Sequence, residues 1–169
     1  LVSCKKENST QTPVANDQEV LTMSEENTNA DAEYDDIAEI GLSAGADMEA
    51  APNMGSEVTG SAAGGGLGIR PDLFEDLKFK IGPCTTFEVS NDSTFPKTLT
   101  INYGDGCVCR DGKFRKGVVV MHFSAPIRQT GAVLTITLKD YYVNRAHIEG
   151  KKVITNLTEN GVHKYATLV

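Results

Sequence analysis

Apolar and polar side chains alternate at period two from about Leu77 to Lys139, and this alternation constrains the chain more than any other feature. Successive side chains of a β-strand point to opposite faces, so such alternation marks a half-buried strand. Leu77, Phe79 and Ile81 alternate with Lys78 and Lys80. Thr85, Phe87 and Val89 follow the same rule, as do Leu99, Ile101 and Tyr103, then Val119, Met121 and Phe123, then Leu134, Ile136 and Leu138. Turn residues separate the runs: Asn91-Asp92-Ser93, Gly104-Asp105-Gly106, Asp111-Gly112, Gln129-Thr130-Gly131 and Glu159-Asn160-Gly161. Asp111-Gly112 suits a tight reverse turn, because glycine takes positive φ freely. Further strands are expected at Tyr141 to Val143, at about His147 to Asn156 and from His163 onward. Without helix signals between the runs, the pattern predicts an antiparallel meander-type sheet or sandwich over residues 70–169, not βαβ units.

The first 69 residues are a different object. They hold 13 acids against Lys5 and Lys6, a charge of −11, whereas residues 70–169 carry +4. Of eleven Phe and Tyr residues, only Tyr34 lies before position 70. Residues 5–69 therefore read as a polar acidic tether with too little apolar surface to offset chain entropy. Within it a short helix is expected over 29–43. Asn29 or Asp31 can cap it, and Tyr34, Ile37, Ala38 and Gly41 follow 3-4 spacing. The acidic run Asp31, Glu33, Asp35 and Asp36 is expected to be a solvated helix face. Residues 44–69, with Gly45, Gly55, Gly60, Gly64, Gly65, Gly66 and Gly68, have linker composition and lack the Lys-Ser/Thr ending of a phosphate loop.

The chain begins Leu1-Val2-Ser3-Cys4, which resembles the bacterial lipobox. In that motif small residues flank the cut, and the Cys sulfur receives a diacylglycerol. On this reading residues 1–4 are the lipobox, Cys4 is acylated, and the partner is a membrane reached through the lipid anchor. No run of about 18 apolar residues offers a spanning helix. At the other end, Tyr165-Ala166-Thr167-Leu168-Val169 reads as a strand still running, so the β-rich domain is expected to be truncated at its C-terminus.

Besides Cys4 there are Cys84, Cys107 and Cys109. A Cys84–Cys107 disulfide would contribute about 3 kcal/mol through loop entropy. Cys84–Cys109, free thiols, and a metal site using Cys107 and Cys109 are the alternatives. Cys-x-Cys is half a metal site, and His122, His147 and His163 lie at no ligand spacing, so no metal is expected. His-Glu-x-x-His does not occur, and Asp105 with Asp111 does not make an EF-hand. No catalytic residue and no cofactor is expected. Asp105, Asp111 and Asp140 read as turn residues. Arg110, Lys113, Arg115 and Lys116 form a basic cluster that could meet anionic lipid or glycan, although a solvated hairpin is the plainer reading. One of Tyr141 and Tyr142 must be buried, because they face opposite sides.

The run Phe95 to Cys107, then Asp111 to Gly117, then Asp140 to Asn144 with Ile148-Glu149-Gly150, is similar to a group of Bacteroidetes cell-envelope lipoproteins. These combine a lipobox, an acidic lead segment and a β-rich domain. The resemblance implies a Cys84–Cys107 pair, with Cys109 a departure that leaves Cys109 as an alternative partner. Asp92-Ser93-Thr94 looks like the short O-glycosylation acceptor of that phylum, with Ser93 as the acceptor. The resemblance implies location in the bacterial envelope as an outer-membrane lipoprotein, periplasmic or surface-facing, and no known activity. The expectation is a non-enzymatic binding or structural module with a protein or glycan partner and no nucleic acid. A fimbria-like or adhesive subunit is the alternative, and a glycan-active enzyme a third.

Overall fold

The computed structural model describes residues 17–50, 79, 81–90 and 94–168. Cys4 and Ser93 lie outside the described residues.

The C-terminal half is an antiparallel sheet. Its strands are β1 (Thr86–Val89), β2 (Lys97–Asn102), β3 (Cys107–Val108), β4 (Phe114–Phe123), β5 (Val133–Val143), β6 (Ala146–Ile148), β7 (Lys151–Asn156) and β8 (Tyr165–Leu168). The order across the sheet is β1-β2-β4-β5-β7-β8, with β3 beside β4 and β6 beside β5. The long central strands β4 and β5 thus carry two short partners each, and every pairing is antiparallel. The expected mainly β, meander-type architecture is what forms, as one open sheet.

One strand differs from expectation. Phe79 and Ile81 are helical, with Leu77 outside the described residues. Five alternating residues are too few to separate a strand from a turn of helix. Gly82, at φ 113°, turns the chain out of that conformation ahead of β1.

Period two holds on the inner face. Phe87, Leu99, Ile101, Val119, Met121, Phe123, Leu134, Ile136 and Ile154 are buried there in one cluster. Their neighbours Thr98, Thr100, Val118, Val120, Thr135, Thr137, Val153 and Thr155 form the outer face and are half-buried. A bulge breaks the register between Lys116 and Val118. Gly117 sits in it at φ 94°, and a Cβ there would lie 2.1 Å from the Asp140 carbonyl oxygen. Only glycine fits such an approach. The extra residue leaves Lys139 and Asp140 both exposed and returns Tyr141 to the core, with Tyr142 on the outer face.

The inner face is covered by helix α1 (Asp17–Ala50), 34 residues long. This is longer than the expected 29–43 and takes in part of the segments read as tether and linker. Its inward stripe is Glu33, Tyr34, Ile37, Ala38, Gly41, Ala44, Gly45 and Met48, spaced three and four apart. Packing on the sheet supplies what the weak local signal lacked. Gly41 and Gly45 set the closest approach. A Cβ at Gly41 would stand 3.0 Å from Leu134 Cδ2, and one at Gly45 would stand 2.8 Å from Phe123 Cε1. Gly45, which composition assigns to a linker, is a packing residue.

Candidate functional site

Where α1 crosses the β3–β4 end of the sheet, one buried carboxylate gathers four hydrogen bonds. Glu33 is 2% exposed. Arg115 Nε donates to its Oε1 at 2.6 Å and the Tyr141 hydroxyl to the same oxygen at 2.7 Å. Arg115 Nη2 donates to Oε2 at 3.1 Å, and Lys113 Nζ at 3.0 Å. The fork-to-fork geometry is the strong form of an ion pair. Around it Lys113 Nζ also reaches Asp36 Oδ2 at 3.1 Å, and Arg115 Nη1 donates to Asp111 Oδ1 at 2.9 Å. Lys152 pairs with Asp35, and the Arg128 backbone N–H donates to Glu49 Oε1 at 2.7 Å. These bonds clamp α1 to β4, β5, β7 and the β4–β5 loop.

Local chain geometry sets this up. Gly112, at φ 78°, closes the Asp111 turn, with its N–H bonded to the Cys109 carbonyl at 3.0 Å. Lys113 and Arg115, two apart at the start of β4, then leave on the same side. Burial by itself would raise the Glu33 pKa; the bonds from Arg115, Tyr141 and Lys113 outweigh it and hold the carboxyl below its usual value. Asp111 is likewise held low by Arg115 and the Lys113 N–H against its own desolvation. Lys113 is held above the usual lysine value by Glu33 and Asp36, despite some desolvation. Burial pushes the Tyr103 and Tyr141 hydroxyls well up.

Two expectations are corrected here. The acidic run is not wholly a solvated face, because Glu33 points into the sheet and finds two cations. The basic cluster is not a solvated hairpin either: Arg115 is 7% exposed, and Lys113 is bound to the helix. The cluster divides. Arg110 stacks over Phe79 at 4.1 Å, Lys113 and Arg115 face α1, and Lys116 faces the open side, 5.4 Å from the Tyr142 ring.

A cavity of about 170 Å³ opens beside the clamp, lined by Asp36, Glu39, Ile81, Tyr103, Asp111 and Arg115 among others. It is smaller than the roughly 300–1,000 Å³ of ordinary ligand pockets. Arg115 and Lys113 engage Asp111 and Asp36 on its wall.

Cys84 and Cys107 are joined in a disulfide, with Cα atoms 5.8 Å apart. Cys109 is a buried free thiol whose pKa is raised by that burial. Asp105 and Asp140 are exposed in turn and bulge, apart from Asp111 and its cations. His122 lies exposed on the outer face, and His163 is exposed ahead of β8. His147 stacks on Tyr142 with ring centroids 4.4 Å apart. Among the described residues, no group of three His, Cys, Asp or Glu side chains could hold a metal ion. None of the described helices is long and apolar enough to cross a membrane.

Glu33 is the site residue that sequence reasoning missed. A signal existed: Glu33, Ile37 and Gly41 are four apart, so the acid sits on the apolar stripe.

The arrangement defines a helix-backed antiparallel sheet with one closed and one open face. No protein-family model, curated protein or solved structure matches this chain.

Proposed function

We propose that this chain is a lipid-anchored protein of the bacterial cell envelope, moored through Cys4, whose β-sheet domain is a non-enzymatic binding module. One observation supports the binding reading above others: α1 closes one face of the sheet, while the Thr- and Val-rich face is left half-exposed. The carboxylates that converge near the Asp111 turn are engaged by Arg115 and Lys113, which favours a structural role for them over acid–base work. The lipobox-like start supports the anchor.

Labelling with radioactive palmitate in the native cell tests it. The protein should carry label and fractionate with membranes, and Cys4→Ser should lose both. An unlabelled wild-type protein in the soluble fraction would overturn the anchor.

A second reading, an adhesive or fimbria-like subunit, is favoured by β8. All four of its residues are exposed, Leu168 at 71%, and among the described residues its outer edge pairs with no strand. An unpaired edge is a template for another strand. Sedimentation of the full protein separates the readings: polymers support the subunit, and monomers at all concentrations remove it.

A further inference from the structure

The open face carries a stripe of positive charge that the clamp does not use. Lys116 on β4, Lys139 on β5 and Lys151 on β7 are exposed there. Among the described residues none of the three makes an ion pair, whereas Lys113, Arg115 and Lys152 do so on the other face. The register explains the stripe. Lys151 is opposite Thr137, two residues from Lys139 on the same strand face, so the two lysines are diagonal neighbours about 7–8 Å apart. Lys116 lies opposite Tyr142, which in turn lies opposite His147, and the bulge keeps all three on the open side. The carboxylates at this end are Asp140, in the bulge, and Glu149, 3.6 Å from His147. Glu88 on β1 is also on the open face, four strands across the sheet from Lys151, and the other acids near the sheet belong mostly to α1 on the closed side.

We propose that this face binds an extended anionic polysaccharide, one bearing carboxylate or sulfate groups. Charge complementarity selects a polyanion. The surface beside the lysines selects among polyanions. Glu88, Thr100, Val120, Thr137 and Lys151 form one row across it, and Thr98, His122, Thr135, Val153 and Leu168 form the next. The four threonines of these rows offer hydroxyls next to the lysine stripe, suited to a linear polymer of sugar hydroxyls and acids. The exposed apolar side chains of this face, Val108 and Phe114 at the β3–β4 end and Leu168 on β8, stand at opposite ends of it and form no continuous apolar stripe, which an amphipathic membrane-binding surface needs. The inference deepens the binding-module reading by naming a ligand class, and it does not depend on the anchor at Cys4.

The test measures binding of the full chain to polygalacturonate and dextran sulfate, to neutral dextran, and to vesicles rich in phosphatidylglycerol, at low and high salt. The expected result is salt-sensitive binding to the anionic polysaccharides and none to dextran or vesicles. The triple variant Lys116→Gln, Lys139→Gln, Lys151→Gln should weaken binding by about tenfold or more, and Lys164→Gln, off the stripe, should leave it unchanged. Thr137→Val, nearly isosteric, should weaken it several-fold. Those positions are exposed or half-exposed, so circular dichroism should show every variant folded. Absence of polysaccharide binding overturns the proposal. So does binding that survives the triple variant, binding indifferent to Thr137→Val, or capture by vesicles in place of polysaccharide. A palmitate-labelled protein that fails this test keeps its anchor and loses only this ligand.

Discussion

Glu33 shows how a single side chain decides what a helix does. An unpaired buried carboxylate costs several kcal/mol, so the residue is tolerated only because Arg115, Lys113 and Tyr141 converge on it. Removing the charge leaves two cations with one fewer partner in a dry environment. Glu33→Gln should therefore destabilise the fold by about 3 kcal/mol, read as a shifted urea midpoint. Asp31→Asn, on the exposed side of the same helix, should change it by less than about 0.5 kcal/mol. Equal effects of the two would mean the clamp contributes nothing specific. Part of this was legible beforehand, because Glu33 falls on the stripe of Ile37 and Gly41. Its cations were not, since 80 and 82 residues separate it from Lys113 and Arg115.

At the scale of elements, α1 rests on the sheet through two glycines. Replacing a helical glycine by alanine ordinarily gains up to about 1 kcal/mol. At Gly45 that gain meets the Phe123 ring at 2.8 Å and Ile127 Cγ2 at 3.2 Å, both within the packed core. Overpacking of this kind costs about 1–3 kcal/mol, so Gly45→Ala should be net destabilising. Gly41→Ala should be milder, because Leu134 and Met121, the side chains it meets at 3.0 and 3.1 Å, can turn aside. Thermal unfolding of the two variants checks the order, and a more stable Gly45→Ala would mean the helix stands further off. The strands were largely legible from alternation and turns, because both signals are local. The extent of α1 was not. Its stripe is Ala- and Gly-rich, and it becomes readable only against the residues it touches.

For the whole molecule, docking of the acidic segment on the basic domain couples stability to pH. Glu33 is held below its ordinary 4.5 and Asp111 below 3.8. A group with a depressed folded-state pKa contributes stability that is complete above its unfolded value and lost as pH falls through the folded one. Below about pH 4 the clamp should therefore weaken, and α1 should come off before the sheet melts. Lys113, held above 10.5, works in the opposite sense, and its contribution is lost only as pH rises through that raised value. Hydrogen exchange of the helix amides across an acid series should show protection at residues 33–48 falling earlier than in β4 and β5. Simultaneous loss in helix and sheet would indicate a single cooperative unit instead.

Alternation, turn residues and charge segregation belong to neighbouring positions in the chain. By themselves they determined an antiparallel sheet in the second half and an acidic first part containing a helix. The tertiary structure alone decided which partner Cys84 takes, which of the basic residues face inward, and that Glu33 is buried. Each of these depends on contacts between residues far apart in sequence. Period and composition describe which face a side chain is on, and they carry no information about what arrives opposite that face.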